Sequence, residues 1–220
     1  MSKIHVYLMP GLAASSKIFE FIKLPENDFE IHLLDWEMPL SVDETLENYA
    51  FRMAQKITHP QAVLLGVSFG GILVQEMAKH IKCKKVIIIS SVKTRSEFPI
   101  RLRFEKMLKI YQFLPVFVVS RLEMLSKFSL GKTLNERMEL YDKYLSVRDE
   151  TYLKWAVKCI ITWKTIQPDP KIVHIHGDND LVFPIKNIKN ATIIAGGTHV
   201  MIINRCKWFN ENLPQIIQEN

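Results

Sequence analysis

Residues 62–71 read AVLLGVSFGG: Ala62, Val63, Leu64, Leu65, Gly66, Val67, Ser68, Phe69, Gly70, Gly71. An apolar run breaks here into small residues around one serine. The chain has eight glycines, and three of them stand in this stretch. The apolar run predicts a strand over residues 62–67. The spacing of Ile72, Val74, Met77 and Ala78 predicts a helix over 69–81. The glycines therefore sit at a strand-to-helix turn, with Ser68 at its apex.

Similar short runs lie on either side. KIHVYLM (residues 3–9) alternates Ile4, Val6 and Leu8 against His5 and Tyr7, as a strand does. FEIHLL (29–34) is a second strand and VIIIS (86–90) a fourth. KIVHIH (171–176) and ATIIA (191–195) follow late in the chain. Ser41-Val-Asp-Glu44 has the serine-to-glutamate spacing of a capping box, and it predicts a helix start. A last helix is expected from about Val200 to Ile217. Near-continuous apolar strands alternating with helices predict an α/β fold, a mostly parallel sheet with helices on both faces.

The rhythm stops between residues 95 and 166. That segment has one glycine, long helix-forming stretches, and fourteen Lys or Arg against eight Asp or Glu. It also holds half of the chain's aromatic residues. We expect a single domain over residues 1–220, with a helical cap insert at about 95–166. An insert placed after a strand's C-terminal end lies over the ligand end of a parallel sheet.

The bulk numbers set bounds. With 220 residues, 48% hydrophobic and 24% charged, the chain is an ordinary globular one with room for a buried core. The net charge of +6 mildly favours anionic partners. No nucleic-acid motif accompanies it, and no nucleic acid is expected as a partner. Cys83, Cys159 and Cys206 are scattered and odd in number, so no disulfide framework, no zinc site and no other metal is expected. The N-terminal apolar run ends early at Pro10-Gly11, so it reads as a strand rather than a leader. The run from Ile110 to Val119 is too short to span a bilayer. A cytoplasmic, soluble protein without a membrane span is expected.

Gly66-Val67-Ser68-Phe69-Gly70 is G-x-S-x-G at a strand-to-helix turn, the setting of a nucleophile elbow. By composition alone the motif arises in about one chain of this length in ten or fewer, so its placement and partners carry the argument. The glycines let strand and helix backbones approach. The Phe69 N–H lies at a helix start, where donors lack partners and the dipole favours negative charge. A serine hydroxyl needs a base, and the base needs an orienting group. His199, in Gly196-Gly197-Thr198-His199, follows the last strand and so stands at the same sheet edge as Ser68. His5, His32 and His174 lie within strands, where a packed ring is the simpler reading. Two aspartates follow the fifth strand, in His176-Gly177-Asp178-Asn179-Asp180. Asp180 is preferred as the acid, because the turn at Gly177 needs a few residues before the chain points back. Asp178 then reads as a turn or cap residue, and His176 as a brace of the same loop.

In this order, Ser68, Asp180 and His199 resemble the triad of the α/β-hydrolase superfamily. Gly66–Gly70 is similar to its elbow, His176–Asp180 to its H-G-x-x-D acid loop, and Gly197–His199 to its G-x-H ending. The resemblance covers about residues 3–93 and 168–218. It implies a serine esterase, carboxylesterase-like, that acts through an acyl-enzyme without a cofactor. It also implies an oxyanion hole from the N–H groups of Leu12 and Phe69. Where the family often has His-Gly after the first strand, this chain has Met9-Pro10-Gly11-Leu12, which leaves the Leu12 N–H in place. The expected partner is a small-molecule ester or thioester. Thioester hydrolysis, carbon–carbon bond cleavage, a lyase reaction or silent ligand binding run on the same scaffold. Trp36, Phe98 and Phe104 are candidate substrate-pocket residues, with packing of the cap or the sheet edge as the alternative.

Overall fold

The structure, a computed structural model, describes residues 3–100, 102, 139–140 and 142–219. Six strands form one sheet: β1 (Ile4–Met9), β2 (Phe29–Leu33), β3 (Val63–Val67), β4 (Lys85–Ile89), β5 (Val173–Gly177) and β6 (Thr192–Ile194). Their order is β2-β1-β3-β4-β5-β6, and every neighbouring pair is parallel. The expected α/β architecture is therefore present, with the sheet wholly parallel.

Every residue of β3 is buried. Its side chains divide between two cores. Leu64 joins the layer of α1 (Leu46–Ala54) and α2 (Phe69–Met77). Val63, Leu65 and Val67 join the opposite layer of α4 (Met201–Asn204) and α5 (Cys206–Gln218). A strand covered on both faces has no polar side to show, which is why its sequence runs apolar without alternation.

Three helix boundaries differ from the sequence reading. α1 is capped by Thr45, whose hydroxyl accepts from the Asn48 N–H at 3.1 Å. Ser41 instead closes a turn, and Glu44 accepts from the Leu40 N–H rather than capping a helix. The Glu44 carboxylate is also held by Arg52, which makes it part of a tertiary clamp. α2 ends at Met77 because the N–H groups of Lys79 and His80 turn back three residues, to Glu76 and Met77. The last helix breaks at Arg205, whose guanidinium reaches back to the Gly196 carbonyl at 3.2 Å.

The described elements within residues 95–166 include a 3-10 turn at Arg95–Glu97 and the helix α3 (Glu150–Thr162). Asp149 caps α3 through the Tyr152 N–H. α3 buries Trp155 completely in the α1–α2 core, and the Trp155 indole N–H donates to the Glu44 carbonyl at 2.9 Å. Among the described residues no helix is long and apolar enough to cross a membrane. Because all strands run one way, the residues that follow β1, β3, β5 and β6 emerge along one edge of the sheet.

Candidate active site

Ser68 stands between the last residue of β3 and the first of α2, with φ +53° and ψ −119°. A side chain other than glycine rarely adopts such angles, and holding one there costs on the order of 1–3 kcal/mol. The surroundings impose the turn. The Ser68 N–H donates to the Ile89 carbonyl, and the Ser68 carbonyl accepts from Gly71 and Ile72. A Cβ on Gly66 would lie 2.3 Å from the Gly70 carbonyl oxygen, so strand and helix meet with no room for side chains. A Cβ on Gly71 would lie 2.5 Å from Ser91 Oγ, and that hydroxyl donates to the Ser68 carbonyl at 2.7 Å. The third glycine of the stretch thus makes room for a serine that braces the turn from β4's end.

His199 follows β6 and faces Ser68. Its Nε2 lies 2.9 Å from Ser68 Oγ, and its Nδ1 lies 2.9 Å from Asp180 Oδ2. Asp180 is buried, and its other oxygen accepts from the N–H groups of Val182 and Phe183. Burial alone would push this carboxyl up, but His199 beside it, the Phe183 N–H and His176 outweigh that and hold it below the usual carboxylate value. An ionised Asp180 favours the tautomer with the proton on Nδ1, which leaves Nε2 to accept from the Ser68 hydroxyl. Asp178 is exposed and bonded elsewhere, accepting from the Gly196 N–H at 2.7 Å. His176 donates through Nε2 to the Phe183 carbonyl at 2.8 Å, and burial pushes its imidazole down, so it enters the acid loop as a neutral ring.

The loop after β1 passes against the elbow: a Cβ on Gly11 would lie 3.3 Å from Ser68 Cβ. Among the described residues neither the Leu12 N–H nor the Phe69 N–H donates to another group. Trp36 is buried behind this loop. Its indole N–H donates to the Gly11 carbonyl at 2.8 Å, and its ring stacks on Phe69 at 4.9 Å. Ala13, at φ +61°, carries the chain onward, and its N–H reaches the Tyr152 hydroxyl of α3 at 3.4 Å. Phe98 is buried edge-on against Trp163 and Phe183, and Phe183 in turn packs edge-on to His199. Phe104 lies outside the described residues. No sequence motif marks Ser91 or Tyr152; each reaches the site from a distant part of the chain.

This frame resembles solved structures over nearly its whole length. An esterase from Exiguobacterium antarcticum superposes with a TM-score of 0.70 at 18% identity, covering 99% of this chain and 93% of that one. A hydrolase from Oleispira antarctica gives 0.72 at 13% identity, covering 100% and 93%. A bromoperoxidase from Bacillus anthracis gives 0.67 at 16% identity, covering 99% and 93%. The chain has the α/β-hydrolase fold. No family model matches the chain, and no curated protein matches it by sequence. At these identities the α/β-hydrolase likeness is one of architecture. In this α/β-hydrolase sheet the edge beyond β3, β5 and β6 carries Ser68, Asp180 and His199.

Proposed function

We propose that this chain is a serine hydrolase that cleaves the ester bond of a small or acyl substrate, carboxylesterase-like. The observation that carries the reading is the unbroken hydrogen-bonded series from Ser68 Oγ through His199 to buried Asp180, with Ser68 held at a positive φ. Ser68 attacks the acyl carbon and His199 Nε2 takes its proton. The N–H groups of Leu12 and Phe69 stabilise the oxyanion, each worth about 2.7–4 kcal/mol when such a donor is well aimed. His199 then returns the proton to the leaving alcohol. Water, activated by the same imidazole, attacks the acyl-enzyme and frees Ser68. Asp180 holds the ring and stabilises its cation throughout. Residues 95–166 serve as the cap, with Trp36 and Phe98 on the substrate side of the core.

The test is labelling with a fluorophosphonate probe, which phosphorylates an activated serine. The wild-type chain is expected to be labelled at Ser68. Ser68→Ala and His199→Ala are expected to abolish labelling while the far-UV circular dichroism stays unchanged. A folded wild-type chain that resists the probe sinks the reading. Hydrolysis of a chain-length series of acyl esters and thioesters then fixes the bond and the acyl group.

A further inference from the structure

We propose that His5, His32 and His59 form a binding site for one divalent transition-metal ion of the zinc class. The inference is independent of the hydrolase reading. The three residues are distant in sequence and meet only because β1 lies between β2 and β3. His5 pairs with Glu30, and Tyr7 with His32, so His5 and His32 are diagonal neighbours on one sheet face. His59 comes from the loop that leads into β3, on the other side of β1. One ring nitrogen from each histidine lies within 4.8 Å of the other two. His5 Nδ1 and His32 Nε2 are 2.9 Å apart. The Glu30 carboxylate stands 3.7 Å from the first and 3.8 Å from the second, in position to complete a fourth contact.

The chemistry of the donors fits such an ion. Zinc binds imidazole nitrogen at about 2.0–2.1 Å in a tetrahedron, which sets the nitrogens about 3.3 Å apart. The His5–His32 pair needs to open by only a few tenths of an ångström, and the ion replaces the proton these nitrogens share. His59 stacks on His5 with ring centroids 3.5 Å apart, and it must swing out of that stack to bring a lone pair into line. Tyr7 supplies the pivot: its hydroxyl lies 2.7 Å from His59 Nδ1 and also accepts from the Thr58 N–H. An outer partner on one ring nitrogen orients the ring and leaves the other for a metal. His5 and His32 are each about one-fifth exposed, so an ion enters from solvent. The four positions from His5 to Met9 correspond to about 13 Å of strand, which separates the cluster from the edge that carries Ser68. The ion would clamp edge strand β2, strand β1 and the loop before β3, stabilising the native chain by mass action.

The experiment uses the full chain, stripped with a chelator and titrated with zinc chloride by calorimetry, with the thermal midpoint followed in parallel. One zinc ion per chain is expected, together with a rise in midpoint at saturation. His59→Ala is expected to weaken the affinity at least about tenfold and to abolish the rise. His199→Ala is expected to change neither, which separates this site from the histidine beside Ser68. His32→Gln serves as a second variant where His59→Ala fails to fold. Absence of saturable binding, equal binding in the cluster variants, or loss of binding in His199→Ala each overturns the proposal.

Discussion

The geometry of Ser68 is set by residues around it rather than by the serine itself. Its backbone angle is enforced by the Gly66–Gly70 contact on one side and by Ser91 on the other. Gly71→Ala places a methyl against Ser91 Oγ and Cβ and is expected to cost about 1–3 kcal/mol of overpacking. Ser91→Gly in the same chain removes the obstructing atoms and is expected to recover part of that loss, so the two substitutions are non-additive. Urea denaturation of the four chains of this cycle checks it. G-x-S-x-G, H-G-x-x-D and G-x-H are legible because each is a local pattern after an apolar strand. Ser91 and Tyr152 carry no local pattern, and their contacts exist only after β4 and α3 have docked. The histidine cluster is hidden for the same reason: residues 5, 32 and 59 have no ligand spacing until the strand order brings them together. By sequence, Trp36 suits either the pocket or the sheet edge. Its bond to Gly11 adds a third, bracing the loop beside Ser68.

Among the elements, α3 is held on the core by one large side chain. Trp155 is its anchor, packed with Trp36, Tyr49, Tyr152 and Phe69. Trp155→Ala is expected to destabilise the chain by about 3–5 kcal/mol. Trp155→Phe keeps most of the packing but leaves the Glu44 carbonyl without its donor, at a cost of about 1–3 kcal/mol. The urea midpoints of the two variants should rank in that order. The strands were legible because burial on both faces writes itself into an unbroken apolar run. Helix ends were less so. Thr45 and Ser41 are both good cap residues, and the Arg52–Glu44 clamp, a contact across eight positions, recruits Glu44 away from a capping role. The break at Arg205 likewise depends on a tertiary partner, Gly196.

At the scale of the molecule, buried titratable groups set the response to acid. The His174 imidazole is pushed down to about 3, by burial first and then by His176 and Lys93. In the unfolded chain a histidine titrates near 6.5. Between these values the unfolded chain binds a proton that the folded chain refuses, so stability falls as pH drops from about 6.5 toward 3. One such group gives a slope of up to ~1.4 kcal/mol per pH unit. Asp180 acts in the same direction at lower pH: its contribution is present above the ordinary carboxylate range and is lost as pH falls through its own depressed value. Urea midpoints at pH 7 and pH 5 are expected to differ accordingly, and His174→Phe should flatten the difference by about the share of one proton. An unchanged slope in that variant would assign the acid sensitivity elsewhere. The sheet's two outer strands are β2, five residues long, and β6, three residues long. A visiting strand finds few free N–H and C=O groups on β6, and Glu30 places a half-exposed charge on β2. A very short outer strand at one edge and a charged one at the other discourage edge-to-edge polymerisation, and the same chain that builds a fully parallel sheet therefore limits its growth into fibres.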